Sequence, residues 1–429
     1  MPALKWPNEV VYQIFPDRFH CHDPSARWPS GAFMWHDKPI RVSNSREAVT
    51  SREHHQYTFF GGTLEGIRRK LDHLQDLGVT AIYLTPIFKS RSTHRYDTDD
   101  YLKVDPMLGS EQDFYALRDD LHARGMKLML DGVFNHTSWH HRWIKEHPEY
   151  YLQSGPNQIE TWMGSGKLPK LDVDAPGVTE ALLGVIDHWR GVDGWRLDAS
   201  HLLSRRVLAR IKERVGPDRP VIGEDWDDAR FDLEEGIYDG VTNFAFKRNV
   251  AALMYGDCPP ETFARRMRVV YEGYPWPAVV QSWSMLNNHD TERFYSKIGE
   301  RQALYKLAQV LQFTLPGTPL VYYGDEWGMT GWGDWGARAP MVWRPNPQQQ
   351  DFFAHLKRLT GLRKQHPVFA TGAIRFLHAD NRSRTLAYER FDARERALVL
   401  LNFGPFEQHV DVNGTGYRLA AHDWEVHLR

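Results

Sequence analysis

Cysteine is almost missing from this sequence. Cys21 and Cys258 are the only two in 429 residues, which excludes a disulfide scaffold and gives no reason to invoke an oxidising compartment. Net charge is nearly missing as well. Lys and Arg number 53 against 55 Asp and Glu, so the balance argues for neither nucleic acid nor an acidic membrane as a partner. No stretch is apolar for long enough to span a bilayer. The opening residues Met1 to Pro7 lack the apolar segment of a secretory signal. The expectation is a cytoplasmic protein without membrane or nucleic-acid partners. Internal repeats and low-complexity tracts are also lacking.

What is abundant is apolar and aromatic. Hydrophobic residues make up 41%, with 16 Trp, 18 Tyr and 21 Phe. That is enough for a large core, and the surplus of Trp suits stacking on flat apolar faces such as those of sugar rings.

Strand and helix signals alternate along most of the chain. Runs rich in β-branched and aromatic residues mark strands over 9–15, 79–84, 126–131, 192–198, 220–224, 238–242, 279–286 and 319–323. Helical spacing marks 63–78, where Leu64, Ile67, Leu71, Leu74 and Leu77 share a face between a Thr63 cap and Gly78. It recurs over 111–124, 178–190, 200–215, 261–271, 301–313 and 350–364. Eight strands alternating with helices predict a closed parallel barrel of the TIM type, an α/β fold. The alternative, an open doubly wound sheet, usually carries a G-x-G-x-x-G turn after an early strand, and none is present. The barrel is expected over 1–131 and 178–367. Residues 132–177, rich in Trp, His, Gly and Pro without a sustained period, read as a short excursion domain after the third strand. Short strands from Ile374 to Val412 predict a C-terminal all-β sandwich domain over 368–429. The long polar stretch from Pro16 to Gly62 is a candidate functional loop. Within it, His20-Cys21-His22-Asp23 reads as solvated loop and not as a metal site.

Three carboxylates end three of the strands: Asp198 in Gly194-Trp195-Arg196-Leu197-Asp198, Glu224 after Val221-Ile222-Gly223, and Asp290 in Asn287-Asn288-His289-Asp290. The C-terminal rim of such a barrel is where reactive groups sit. Alternation puts Gly194, Arg196 and Asp198 on one face and Trp195 and Leu197 on the other. A charged pair on an inward face is costly without a purpose. Two carboxylates flanking one bond are the minimum for glycoside hydrolysis. Arg196 is expected to hold Asp198 ionised, as a nucleophile requires. Acidic neighbours are expected to favour protonated Glu224, as a general acid requires. Asp290 suits stabilisation of an oxocarbenium-like transition state, and His136 and His289 suit binding of sugar hydroxyls. Spacing alone leaves other barrel hydrolases open.

Six ordered stretches also resemble glycoside hydrolase family 13, the α-amylase family: His94 to Asp97, Asp131 to His136, Leu168 to Asp172, Gly194 to Asp198, Gly223-Glu224 and Asn288 to Asp290. This resemblance implies that Asp198 is the nucleophile, Glu224 the acid/base and Asp290 the transition-state stabiliser. It implies that Tyr96, His136, Arg196 and His289 line the subsite of the reacting sugar, with Asp334 and Arg338 at the next one outward. Phe59-Phe60-Gly61-Gly62 and Leu320 to Glu326 are similar to the neopullulanase, cyclomaltodextrinase and maltogenic amylase group. The sequence departs from that group in three ways. The group usually has an N-terminal β domain, whereas the barrel here begins almost at Met1. Ala199-Ser200-His201-Leu202 stands where the group has Val-Ala-Asn-Glu. The loop after the first strand lacks the group's Asn/Asp-rich calcium pattern, although Asn135 matches a calcium ligand of many secreted α-amylases. The expected function is a retaining α-glucan hydrolase acting mainly on α-1,4 links of malto-oligosaccharides, cyclodextrins or starch, with α-1,6 cleavage or transglycosylation as side activities. No cofactor is required, and calcium is the one metal the resemblance leaves open. The alternatives are a 4-α-glucanotransferase and a non-catalytic carbohydrate-binding relative.

Overall fold

Alternation along eight parallel strands between Val11 and Tyr322 explains why this part of the chain closes on itself. The computed structural model describes residues 4–23, 34–35, 38–43, 51, 55–156 and 158–429. Eight parallel strands, β1 (Val11–Ile14), β2 (Ala81–Leu84), β3 (Lys127–Gly132), β4 (Gly194–Leu197), β5 (Val221–Gly223), β6 (Gly240–Val241), β7 (Trp283–Met285) and β8 (Thr318–Tyr322), lie side by side in sequence order. β8 returns to pair with β1, and a parallel bridge from Thr242 to Trp283 joins β6 to β7, so the cylinder closes. Strand alternation sorts the side chains. Val11, Ala81, Met129, Ile222, Met285 and Leu320 pack inside the barrel. Tyr12, Ile14, Ile82, Leu84, Trp195 and Leu197 face the surrounding helices in a second, larger cluster. Gly194 is required by crowding: a Cβ there would lie 2.7 Å from Met129 Cε and 3.0 Å from the Pro220 carbonyl oxygen.

The helices follow their caps. Thr63 accepts a hydrogen bond from the Gly66 amide and Gly78 closes the segment in the left-handed region at φ 88°. The predicted single helix divides into Leu64–Arg68 and Leu71–Leu77 because Lys70 leaves helical dihedrals (φ −112°, ψ 9°). The buried face is unbroken by the division. Two further expectations are corrected. The seventh strand is short, because Trp276–Gln281 is helical; Pro275 and Pro277 pre-set the first turn and override the β-branched Val279 and Val280. The segment after Asp198 forms a 3₁₀ turn at Ser200–Leu202, and the helix begins only at Arg205, capped by Ser204. Phe244–Tyr255 is a helix the sequence reading did not assign.

The chain from Val133 to Gly177 leaves the barrel after β3 and, among its described residues, carries a small hairpin, a one-turn helix at Trp143–Glu146 and two 3₁₀ turns. It is tied back by bridges from His136 to Lys170 and from Tyr151 to Leu171. Beyond the barrel, β9 (Ala373–Asp380), β10 (Thr385–Phe391), β11 (Arg396–Asn402) and β14 (Trp424–Leu428) form an antiparallel sheet, and β12 (Gln408–Val412) pairs with β13 (Thr415–Leu419). Ala387, Leu398 and Leu400 of the larger sheet pack with Val410, Val412 and Leu419 of the smaller, so the C-terminal region is an all-β sandwich with its own core. Most of the polar stretch from His20 to Tyr57 lies outside the described residues. No helix among the described residues is long and apolar enough to cross a membrane.

Candidate active site

One guanidinium organises the upper end of the barrel. Arg196 projects inward from β4, whose neighbour in register is Asp131 on β3. Its Nη1 donates to both Asp131 oxygens (2.8 and 2.9 Å) and to Asp198 Oδ1 (2.8 Å). Its Nη2 pairs with Glu224 Oε1 at 2.8 Å. All four groups are buried, so the ion pairs act with little solvent screening. Tyr83 and Tyr96 both donate to Asp131 Oδ2 (2.5 and 2.9 Å). Asp131 is therefore saturated, and it fixes the arginine from below. The second Glu224 oxygen accepts the Ala199 amide at 2.8 Å. Ala199 reaches that position in the left-handed region (φ 43°, ψ 40°), a strained conformation for a residue with a Cβ.

Arg196 pulls the Asp198 carboxyl downward as expected, but other groups act on it too. Burial, and then the carboxylates of Glu224, Asp131 and Asp290, push its carboxyl well above the usual range, against the opposing pull of Arg196. Arg196 is not dedicated to Asp198; its charge is divided among three carboxylates. Asp131 and Asp290 are also raised, chiefly by burial. Three buried carboxyl groups and the partly exposed Asp290 thus face two guanidinium groups, Arg196 and Arg338. Burial and mutual repulsion raise Asp131, Asp198 and Asp290, and Arg196 opposes the shift.

Asp290 lies across the barrel mouth on the loop after β7. Its Oδ1 is 3.3 Å from Arg338 Nη2 and 3.3 Å from His289 Nε2. Arg338 also donates to the His289 carbonyl at 2.6 Å. Rings line the floor: Tyr96 stacks on His289 with centroids 5.2 Å apart and planes within 3°, and His94 stacks on Tyr96 at 6.0 Å. The Gln13 amide on β1 meets His289 Nδ1 at 2.8 Å. His136 Nε2 donates to the Tyr96 carbonyl at 3.0 Å. Burial pushes His136 down to about 4 and His94 to about 3, and takes His289 well below its ordinary value. These imidazoles are neutral hydrogen-bonding groups at neutral pH.

A cavity of about 470 Å³ opens over these groups. Asp198, Glu224, Asp290, Tyr96, His136, Asp334 and Arg338 all line it, and Arg196 and His289 support it from beneath. The structure therefore brings all nine sequence-designated residues to one place. The sequence reading did not single out Gln13, Tyr83, His55, Trp162, Lys167, His201 or Trp226. Asp131 was quoted as part of a motif but given no role, although it ends a strand as Asp198 does. Trp162 and Lys167 come from the aperiodic 132–177 excursion, where spacing carries no signal. Trp226 follows Glu224 by two residues and stacks on Phe244 at 3.8 Å while remaining 38% exposed. Among the described residues no group of three His, Cys, Asp or Glu side chains is arranged to hold a metal ion. In the His20 to Asp23 run, His22 Nδ1 instead meets Thr63 Oγ1 at 2.7 Å.

The chain matches the family model "Alpha amylase, catalytic domain" over residues 13–230 and 210–344, and "Maltogenic Amylase, C-terminal domain" over 374–426. It is 36% identical to neopullulanase 2 of Thermoactinomyces vulgaris, covering 93% of this chain and 70% of that protein. It is 33% identical to a cyclomaltodextrinase of a Bacillus species, covering 92% of this chain and 72% of that one. Its fold is similar to the cyclic α-maltosyl-(1→6)-maltose hydrolase of Arthrobacter globiformis in complex with that sugar. That likeness has a TM-score of 0.88 at 27% identity and covers all of both chains.

Proposed function

We propose, on the premise that the chain belongs to the α-amylase family of glycoside hydrolases and is an α-glucan hydrolase related to the neopullulanases and cyclomaltodextrinases, that it cleaves mainly α-1,4 links by a retaining mechanism. The observation that carries this reading is the shared guanidinium. Asp198 and Glu224 bond to neighbouring nitrogens of Arg196, which holds them close together. That favours the roughly 5–5.5 Å carboxyl spacing of retaining enzymes over the wider gap that admits a water in inverting ones. Asp198 attacks the anomeric carbon and forms a glycosyl ester. Glu224 donates a proton to the leaving oxygen, then takes a proton from the water that hydrolyses the ester. Asp290, opposite, stabilises positive charge on the ring in the transition state. Tyr96 and His289 form a flat floor for the reacting sugar, with His136 at its edge. Asp334 and Arg338 hold the next sugar outward. No cofactor takes part in these steps, which use side chains alone.

Substrates follow from relatives whose names include a neopullulanase, a cyclomaltodextrinase and a cyclic maltosyl-maltose hydrolase: malto-oligosaccharides and cyclodextrins, with α-1,6 links as a secondary target. The test is Asp198→Asn and Glu224→Gln assayed on maltotriose. Each is expected to lose more than about a thousandfold in kcat with binding largely kept. Fresh product should be the α-anomer by NMR. Near-normal turnover in either variant, or a β-anomer formed first, overturns the assignment. A partly exposed Trp226 beside Glu224 also offers a stacking platform for an acceptor sugar, so added glucose should yield some transfer product.

A further inference from the structure

Behind Asp290 lies a buried lysine for which the reaction has so far no use. Lys247, on the helix Phe244–Tyr255, is 7% exposed. The acids near it are engaged elsewhere: Glu292 pairs with Lys297, Asp325 with Arg293, and Asp290 with Arg338. The Lys247 ammonium donates a short hydrogen bond to Thr291 Oγ1. An ammonium buried without its own carboxylate is expensive, and a methionine would fill the same space at lower cost.

The hydrogen bonds beyond Thr291 give it a purpose. An ammonium has donors only, so Thr291 Oγ1 accepts from it. The threonine hydroxyl hydrogen is thereby directed to Asn288 Oδ1, 2.8 Å away. That fixes the orientation of the Asn288 amide, with its oxygen toward Thr291 and its NH₂ toward Asp290 Oδ2 at 3.2 Å. The same Asn288 oxygen accepts the Asp290 backbone amide at 3.4 Å. Arg338 and His289 hold the other Asp290 oxygen. The carboxylate is therefore clamped from both sides, and the Asn288 side of the clamp is oriented by Lys247.

We propose that Lys247 is a positioning residue for Asp290, acting through Thr291 and Asn288. This rests on the reading of Asp290 as transition-state stabiliser. A neutral lysine amine accepts as well as donates, so loss of its proton removes the fixed direction of the relay. Burial lowers the Lys247 pKa to about 8, with Glu292, Asp325 and Asp290 opposing and Lys297 reinforcing the shift. The relay is directional below that pH and loses direction above it, which gives turnover an alkaline limb.

The experiment measures kcat and KM for maltotriose from pH 6 to 9.5 in Lys247→Met, Thr291→Val and Thr291→Ser, with Asp290→Asn as reference. Lys247→Met and Thr291→Val are expected to lower kcat about tenfold with KM changed less than about twofold, the pattern of a misplaced transition-state contact. Both should lack the wild-type alkaline limb. Thr291→Ser, which keeps the hydroxyl, should restore both rate and limb. Wild-type kcat and an unaltered pH profile in both Lys247→Met and Thr291→Val overturn the proposal. Should Lys247→Met not fold, the Thr291 pair decides it: equal behaviour of Val and Ser overturns the relay. If Asp290→Asn is fully active, the reading of the active site fails; if it is inactive while the relay variants are normal, only this inference fails.

Discussion

Replacing Arg196 by methionine tests the electrostatic account of the site most directly. The change removes one buried positive charge at 2.8 Å from each of Asp131, Asp198 and Glu224 and leaves the aliphatic volume. Breaking a buried pair by deleting one partner costs about 3–5 kcal/mol. Three carboxylates depend on this guanidinium, so the full loss would be comparable with the whole stability of an ordinary domain. The folded protein can avoid that by binding protons, each unit of upward pKa movement being worth about 1.4 kcal/mol. In the variant, Asp131 and Asp198, already raised, stand still further above their unfolded values. Between those two values the folded state holds protons that the unfolded chain has released, so stability falls as pH rises. The expected loss relative to wild type is about 3–5 kcal/mol near pH 8 and distinctly smaller near pH 5. Calorimetric unfolding at the two pH values reads this directly, and turnover should fall at least a hundredfold at both. An equal loss of stability at pH 5 and pH 8 would refute the argument, since it would mean that the carboxylates do not share the charge of Arg196.

Three other outcomes follow from single positions. His136, lowered to about 4 by burial, should show no imidazole titration by NMR between pH 8 and 5.5, and a midpoint near 6.5 would contradict its buried, neutral role. The histidine contribution to stability has a definite sign: between its unfolded value near 6.5 and about 4, only the unfolded chain binds the proton, so this site favours unfolding as pH falls through that window. Gly62→Ala would place a Cβ 2.0 Å from the Pro16 carbonyl oxygen and 2.6 Å from Asp17 backbone atoms. Backbone must move, and a loss of about 1–3 kcal/mol is expected by thermal unfolding. Trp226→Ala should raise KM for maltotriose about tenfold with a smaller change in kcat, because it removes a stacking face from the cavity rim; an unchanged KM would place the sugar elsewhere.

Much of this protein was written in local pattern. Period-two apolar runs and helical spacing determined the order of strands and helices, because each element buries one face and the hydrophobic effect acts on faces. The positions of Asp198, Glu224 and Asp290 at strand ends were legible for the same reason, since alternation and strand termini are properties of short stretches. Local pattern misled where a neighbour overruled it, as Pro275 and Pro277 did to Val279 and Val280. Charge was legible only as residue type. Reading Arg196 two residues before Asp198 suggested a private ion pair. Closure of the barrel brought Asp131 from β3 and Glu224 from β5 to the same guanidinium, so the charge of Arg196 is divided among three carboxylates. Lys247 likewise meant nothing in its helix until folding set it against Thr291. Electrostatic energy depends on distance and burial across strands far apart in the chain, and those quantities exist only in the assembled structure.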